Sequence, residues 1–182
     1  MSTERWEIDS SHSGVHFAVR HLVIAKVRGQ FSRWTGRLQV SDADFGRASL
    51  DVVIDAGSID TGVTDRDAHL RSADFFDVAQ YPEVTFKSTA VERTGANGLR
   101  VVGQLTIKDV TRNVTLEVEH HGLVKDPWGN ERAAFTARTS VDRREFGLTW
   151  NQALETGGVL VGERVDIEIE IQAVKQTPAK VA

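Results

Sequence analysis

Apolar and polar residues alternate with a period of two through most of the chain, which is the pattern of strands with one dry face and one wet face. Val15, Phe17 and Val19 share a face, Trp34, Leu38 and Val40 do so next, and Leu50, Val52 and Ile54 follow. Val84 and Phe86 continue the series, then Leu99, Val101, Leu105 and Ile107. Val114, Leu116 and Val118 alternate with Thr115, Glu117 and Glu119; Phe135, Ala137 and Val141 come after them, and Val165, Ile167, Ile169 and Ile171 close against Asp166, Glu168 and Glu170. Turn chemistry separates the segments: Gly95-Ala96-Asn97-Gly98 fits a hairpin, Lys108-Asp109-Val110-Thr111 a tight connection, and Asp126-Pro127-Trp128-Gly129-Asn130 a longer loop. Sequential strands joined by short turns form an antiparallel meander. With about eight strands and one apolar face, it closes into a barrel or packs as a sandwich. The barrel is the expected fold, because closure removes the free edges and leaves an interior that either fills with side chains or encloses one small ligand.

One segment breaks the alternation. Thr64–Phe76, TDRDAHLRSADFF, predicts a helix of about three turns, with Thr64 as N-cap, Asp67 as the acid three positions on, and Asp65 favoured by the helix dipole. Leu70, Ala73 and Phe76 lie three apart and make one side apolar, so this helix should flank the barrel mouth. Asp67 and Arg71, four apart, are expected to pair on its face. Arg143–Leu160, with Phe146, Leu148, Trp150, Leu154 and Gly157-Gly158, reads as a loop or a short turn of helix. The chain is expected to be a single domain, 1–182, with a barrel over about 5–174 and a short polar tail, 175–182.

Composition narrows the partners. A net charge of -4 without a basic block gives no electrostatic footprint for a nucleic acid or an anionic membrane surface, so neither partner is expected. No apolar run approaches the roughly 18 to 20 residues of a membrane helix, so stable membrane insertion is not expected either. The absence of cysteine excludes disulfides, thiol nucleophiles and Cys-based metal sites. The polar start MSTERWEID lacks a basic stretch followed by an apolar run, and a cytoplasmic location is the expectation.

Candidate chemistry is sparse. His12 and His16 would share a strand face about 13 Å apart, His21 would lie opposite, and the adjacent His120 and His121 would point to opposite sides. None of these pairings matches a zinc site, whose nitrogen ligands sit about 2.0 to 2.1 Å from one ion. His69, Asp67, Asp65 and Ser72 surround the helix, but nothing there resembles a nucleophile elbow. No catalytic residue, metal or cofactor is expected. Arg66 and Arg71 are candidates to meet an anionic head group at the mouth.

The order and spacing of five segments resemble the YceI-like family. They are WEIDSSHSGVHFAVRHL from Trp6, TDRDAHLRSADFFDVAQYPEVTFKS from Thr64, GQLTIKDVTRNVTLEV from Gly103, DRREFGLTW from Asp142 and ERVDIEIEIQAV from Glu163, with HLRSADFF the most distinctive part. The resemblance implies an eight-stranded lipocalin-like barrel that binds a polyisoprenoid, quinone or other long lipid, and a homodimer. Asp142-Arg143-Arg144-Glu145-Phe146-Gly147 departs from the family's more usual Asn-Arg-x-Asp-Phe-Gly.

With that fold, the inward faces supply a cavity wall of Phe17, Val19, His21 and Phe31, then Leu38, Val52, Ile54 and Phe86, then Leu105, Leu116, Phe135, Phe146, Ile167 and Ile169. Gly29, Gly36, Gly103, Ala133 and Ala137 would leave room among them, and His21 is the clear inward polar residue. Each buried methylene is worth about 0.8 kcal/mol, so about twenty of them gain roughly 16 kcal/mol before association costs, without a strong polar anchor. The expected function is non-catalytic binding, sequestration or transport of a long apolar chain. The alternatives are an enzyme, hydrolase or isomerase, acting on a lipophilic substrate in the same cavity, and a filled-core interaction protein.

Overall fold

The alternating segments pair into one antiparallel ring. The computed structural model describes residues 2–177, and in it eight staves close into a barrel, all neighbours in the ring being antiparallel. Three staves are each broken once. β1 (Thr3–Ile8) and β2 (Gly14–His21) are separated by a turn of 3-10 helix at Ser10–His12. Both pair with β11 (Val161–Gln176), β1 through Ile8↔Ala173 and β2 through Gly14↔Glu170. β3 (Ala25–Phe31) and β4 (Trp34–Ser41) likewise run on from one another, β3 against β2 and β4 against β1. β5 (Asp44–Asp55) continues through a short turn into β6 (Ile59–Asp60), which pairs with β3. β7 (Glu83–Arg93), β8 (Gly98–Ile107), β9 (Val110–Lys125) and β10 (Glu131–Asp142) then follow in order, and β1–β11 pairing closes the ring.

The ends of the barrel differ. One carries the β2–β3 tip, the long crossover from β6 to β7, the Lys108-Asp109 turn and the β10–β11 loop. The other carries the turns at Asp42-Ala43, Thr94–Asn97 and Asp126–Asn130 and is plugged. Trp6, Val40, Phe45, Leu99, Ala133, Phe135 and Ala173 pack there as one cluster. Arg132 locks this end by bonding the carboxylates of Asp9, in the break of the first stave, and Asp126, in the β9–β10 loop, each at 2.9 Å.

The helix is shorter than its sequence pattern predicts. α1 covers Thr64–Arg71, and Ser72 stops it in extended backbone. Its N-cap is Val63, without a side-chain cap, so Thr64 does not play that part. Asp67 instead points back to β6: its Oδ1 accepts from the Thr61 amide at 2.9 Å and the Thr61 hydroxyl at 2.5 Å. The expected Asp67–Arg71 pair is not formed, because Arg71 donates to the carbonyls of Gly57 and Ile59. Both side chains fasten the helix to the barrel rather than to itself. β11 also runs further than expected. Lys175, placed by the sequence in a polar tail, pairs across to Trp6 and donates to Glu4 Oε1 at 2.6 Å; residues 178–182 of that tail lie outside the described residues.

The small residues of the wall do a different job from the one their size suggests. A Cβ on Gly29 would strike the ring of Phe17, one on Gly36 the side chain of Ile8, and one on Gly103 the ring of Phe86. The glycines hold space for neighbouring side chains to lie against the sheet, the arrangement in which an aromatic ring covers a strand glycine. Gly103→Ala would also bring the new methyl to 2.7 Å from the Lys87 carbonyl oxygen, which is backbone and cannot turn away. It is expected to cost about 1 to 3 kcal/mol of stability, read as a lower denaturant midpoint; an unchanged midpoint would show that Phe86 moves aside freely.

Candidate functional site

Above the plug the barrel encloses a cavity of about 570 Å³, within the range of roughly 300 to 1,000 Å³ typical of ligand pockets. Wall and plug differ in what their side chains face: Val40, Ala133 and Ala173 are fully buried within the plug, whereas Leu105, Ile107 and Val114 border the cavity, as do Phe45, Leu99 and Phe135 at the plug's inner surface. Strand alternation builds this wall: every second residue of each stave turns inward, and nearly all are apolar.

All fourteen wall positions expected from the sequence border this one cavity. Leu38 and Phe135 are near the floor, where the Phe135 ring meets Phe45 edge-on at 5.2 Å. Val52, Ile54, Phe86, Leu105, Leu116, Ile167 and Ile169 make the middle. Phe17, Val19, His21, Phe31 and Phe146 are nearer the mouth, with Phe17 and Phe31 5.7 Å apart. Arg66 lines the mouth but is held by two bonds to Thr61, from Nε to Oγ1 at 2.7 Å and from Nη2 to the carbonyl at 2.9 Å. Arg71, the other head-group candidate, is not on the cavity: its donors are taken by the crossover backbone.

Polar lining is concentrated at the mouth. Thr61, Asp65, Arg66 and His69 come from the crossover, Arg20 and His21 from the end of β2 and Arg143 from the end of β10, with His16 and Thr139 on the staves below. Phe75, His69 and Trp150 form an edge-to-face group across it, the His69 ring 4.6 Å from Trp150 and 5.1 Å from Phe75. His69 Nε2 is bonded to Asp74 at 2.8 Å. Thus α1 and the β10–β11 loop meet over the opening.

Arg143 sets that loop. Only 4 % exposed, its guanidinium donates to the carbonyls of Leu148, Trp150, Val161 and Gly162. Burial pulls its pKa below the usual arginine value, opposed by the negative charge of Asp142 and Glu163. Asp142 caps the adjoining 3-10 turn through the Arg144 amide and also binds the Arg144 guanidinium. Phe146 is driven into the core at 1 % exposure, and Gly147, at φ 74, takes the left-handed position that ends the turn. The segment Asp142–Gly147 is therefore a clamp on the mouth loop. Sequence reasoning read it as irregular because its bonds run to backbone carbonyls, which no side-chain motif reveals.

Sequence reasoning weighed His120 only as a metal ligand beside His121; its even numbering along β9 places it inward with Val114, Leu116 and Val118. It stacks on Phe135 at 4.8 Å beneath the cavity floor, and its Nε2 is buried without a hydrogen-bond partner. His121 points out to the Thr136 hydroxyl. Among the described residues no three His, Asp or Glu side chains converge as a metal site would need. Desolvation lowers the His120 pKa from the usual 6.5, so below about pH 6.5 the unfolded chain binds a proton that the folded one refuses. Stability should fall from that point down to the depressed folded pKa. His120→Phe removes both the orphan nitrogen and this linkage. Its melting temperature should be at or above that of the parent near pH 8, and the margin should widen below pH 6.5; parallel pH profiles would show that His120 is protonated freely in the fold.

A family model described as the YceI-like domain matches residues 6–173. A UPF0312 protein of Vibrio parahaemolyticus is 34% identical over 168 residues, covering 91% of this chain and 84% of its own. The crystal structure of a Campylobacter jejuni YceI protein superposes with a TM-score of 0.75 at 28% identity, over 87% of this chain and 90% of that one. A structure of a polyisoprenoid binding domain from Saccharophagus degradans, at 16% identity, covers 94% of this chain and 98% of its own with a TM-score of 0.67, a likeness of fold.

Proposed function

The chain belongs to the YceI-like family, and from that premise we propose that its barrel is a non-catalytic binding protein for one long apolar chain of the polyisoprenoid or lipid class. The observation that carries this reading is the segregation within the cavity: an apolar lumen over the Phe45 and Phe135 floor, interrupted below the mouth by His16 and Thr139, with the rest of the polar lining gathered at the mouth. An extended hydrocarbon would lie along the lumen and gain about 0.8 kcal/mol per buried methylene. A polar end group would remain at the opening beside His21, Asp65 and Arg66. The name of the Saccharophagus domain supports the isoprenoid class.

Non-catalysis is supported by the state of the mouth groups. His69 gives its Nε2 to Asp74 and its faces to Trp150 and Phe75, and among the described residues no hydroxyl is hydrogen-bonded to its ring. Arg143 is consumed by backbone carbonyls. The test is organic extraction of the purified, folded protein followed by mass spectrometry. A long apolar molecule in near-stoichiometric amount is the expected result; no such molecule, together with no uptake of added long-chain isoprenoid, would return the protein to the filled-core class.

A further inference from the structure

The overall charge of -4 hides a strong segregation. From Ser10 to Ser41 the chain has no Asp or Glu, while Arg20, Lys26, Arg28, Arg33 and Arg37 all fall within it. This segment forms β2, β3 and β4, and the tip joining β2 to β3 is Leu22-Val23-Ile24. That tip is exposed: Leu22 at 45%, Val23 at 65% and Ile24 at 91%. Leu22 and Val23 stand at φ 53 and 65, a left-handed conformation that suits Gly or Asn and is an outlier for β-branched valine. Neither solubility nor turn geometry accounts for three apolar residues there.

The flanking charges are arranged around the tip. Arg20 and Lys26 are directly opposite one another across β2 and β3, a like-charged cross-strand pair that costs stability. Among the described residues, Arg20, Lys26 and Arg28 form no ion pair, whereas Arg33 is bound to Asp55. On the neighbouring stave the three acids nearest the tip are already matched, Glu163 with Arg144, Asp166 with Arg164 and Glu168 with Arg138. The tip also adjoins the cavity. The Leu22 amide donates to the Leu160 carbonyl at 3.0 Å, and Leu160, His21 and Val161 line the mouth. Val159, in the same loop, is another exposed apolar residue, at 42%.

We infer that the Leu22–Ile24 tip docks the barrel mouth on an anionic lipid bilayer, the three apolar side chains entering the interface and Arg20, Lys26 and Arg28 meeting the head groups. This revises the exclusion of a membrane surface drawn from net charge, which averages away a cationic segment. Exchange of the cavity's ligand with the bilayer then follows, and that second step rests on the function proposed above, while docking itself does not.

The test is flotation of the full chain with vesicles of two parts phosphatidylcholine to one part phosphatidylglycerol, against vesicles of phosphatidylcholine alone. Each cation near an anionic surface contributes about fivefold to affinity, so preferential binding to the anionic vesicles, weakening as salt is raised, is expected. Ile24→Asp should lower it by at least about tenfold, and Lys26→Glu by a comparable factor. Both positions are exposed, so circular dichroism and in-solution binding of a long-chain isoprenoid should remain those of the parent. Absence of flotation by a parent protein that still takes up isoprenoid would overturn the docking inference and leave the cavity's function standing. Flotation without isoprenoid uptake would do the reverse. Flotation unaffected by either substitution would place docking elsewhere and overturn the inference, as would a tip-dependent dimer in sedimentation without vesicle binding.

Discussion

Arg143→Met is expected to lower the melting temperature by about 10 °C and to open the mouth of the barrel. The guanidinium answers four backbone carbonyls, those of Leu148 and Trp150 in the mouth loop and those of Val161 and Gly162 at the irregular start of β11. Hydrogen bonds to a charged donor contribute about 1.5 to 3 kcal/mol each when intact, and a buried acceptor left unpaired costs about 1 to 3 kcal/mol. Some of the carbonyls would regain water as the loop loosens, so a net loss of about 3 to 5 kcal/mol is the reasonable scale. For a domain of this size, each 1 kcal/mol shifts the melting temperature by about 2 to 4 °C. Loss of the Trp150 carbonyl bond also frees the ring that packs on His69. Trp150 fluorescence should therefore shift to the red before global unfolding begins. Arg143→Lys should recover little, because an ammonium on a flexible stem cannot span four carbonyls as the planar fork does. A variant that melts with the parent would show that the loop holds without its clamp.

Ala137→Trp is expected to abolish binding of a long apolar chain while leaving the fold nearly intact. Ala137 stands mid-wall on β10, between Val118 and Ile169 on the flanking strands, and it lines the lumen. An indole placed there projects into space rather than into packed neighbours. If it displaces four or five methylenes of the ligand, about 3 to 4 kcal/mol of burial is lost, a few hundredfold in affinity. A solid interior would respond in the opposite sense, with about 1 to 3 kcal/mol of destabilisation from overpacking and no binding to lose. Ligand titration beside thermal melts reads both outcomes.

Much of the barrel was legible because each stave buries one face, and period two is then imposed on the sequence along its length. Val114, Leu116 and Val118, or Val165 through Ile171, could adopt no other register without turning the apolar set to water. The same rule reached the wall of the cavity, since in a closed barrel an inward residue has nowhere else to go. It did not separate wall from plug: Phe135 and Leu38 obey the same alternation as Leu105, and which of them packs against Phe45 depends on depth along the axis, fixed by stagger between strands. The continuity of β1 with β2 and of β3 with β4 was also hidden, because Ser10–His12 and Ser32-Arg33 break the alternation where the staves bend. At the helix, Thr64 and Asp67 carry the capping pattern, yet Thr61 captures Asp67, a tertiary bond that local spacing does not encode. Arg71 and Arg143 follow the same logic. Both were visible as cations, and both are held by backbone carbonyls, which the side-chain pattern of a sequence does not single out as partners.

Native mass spectrometry of the purified protein mixed with a long-chain isoprenoid alcohol tests the central claim most directly, since it counts ligand chains per barrel without a label. A folded protein carrying one chain per barrel, retained under gentle activation, is expected, with an adduct that is lost in Ala137→Trp while the charge-state distribution stays that of a compact protein. A parent protein that remains bare at saturating ligand, or one that takes up several chains which Ala137→Trp does not displace, would contradict it.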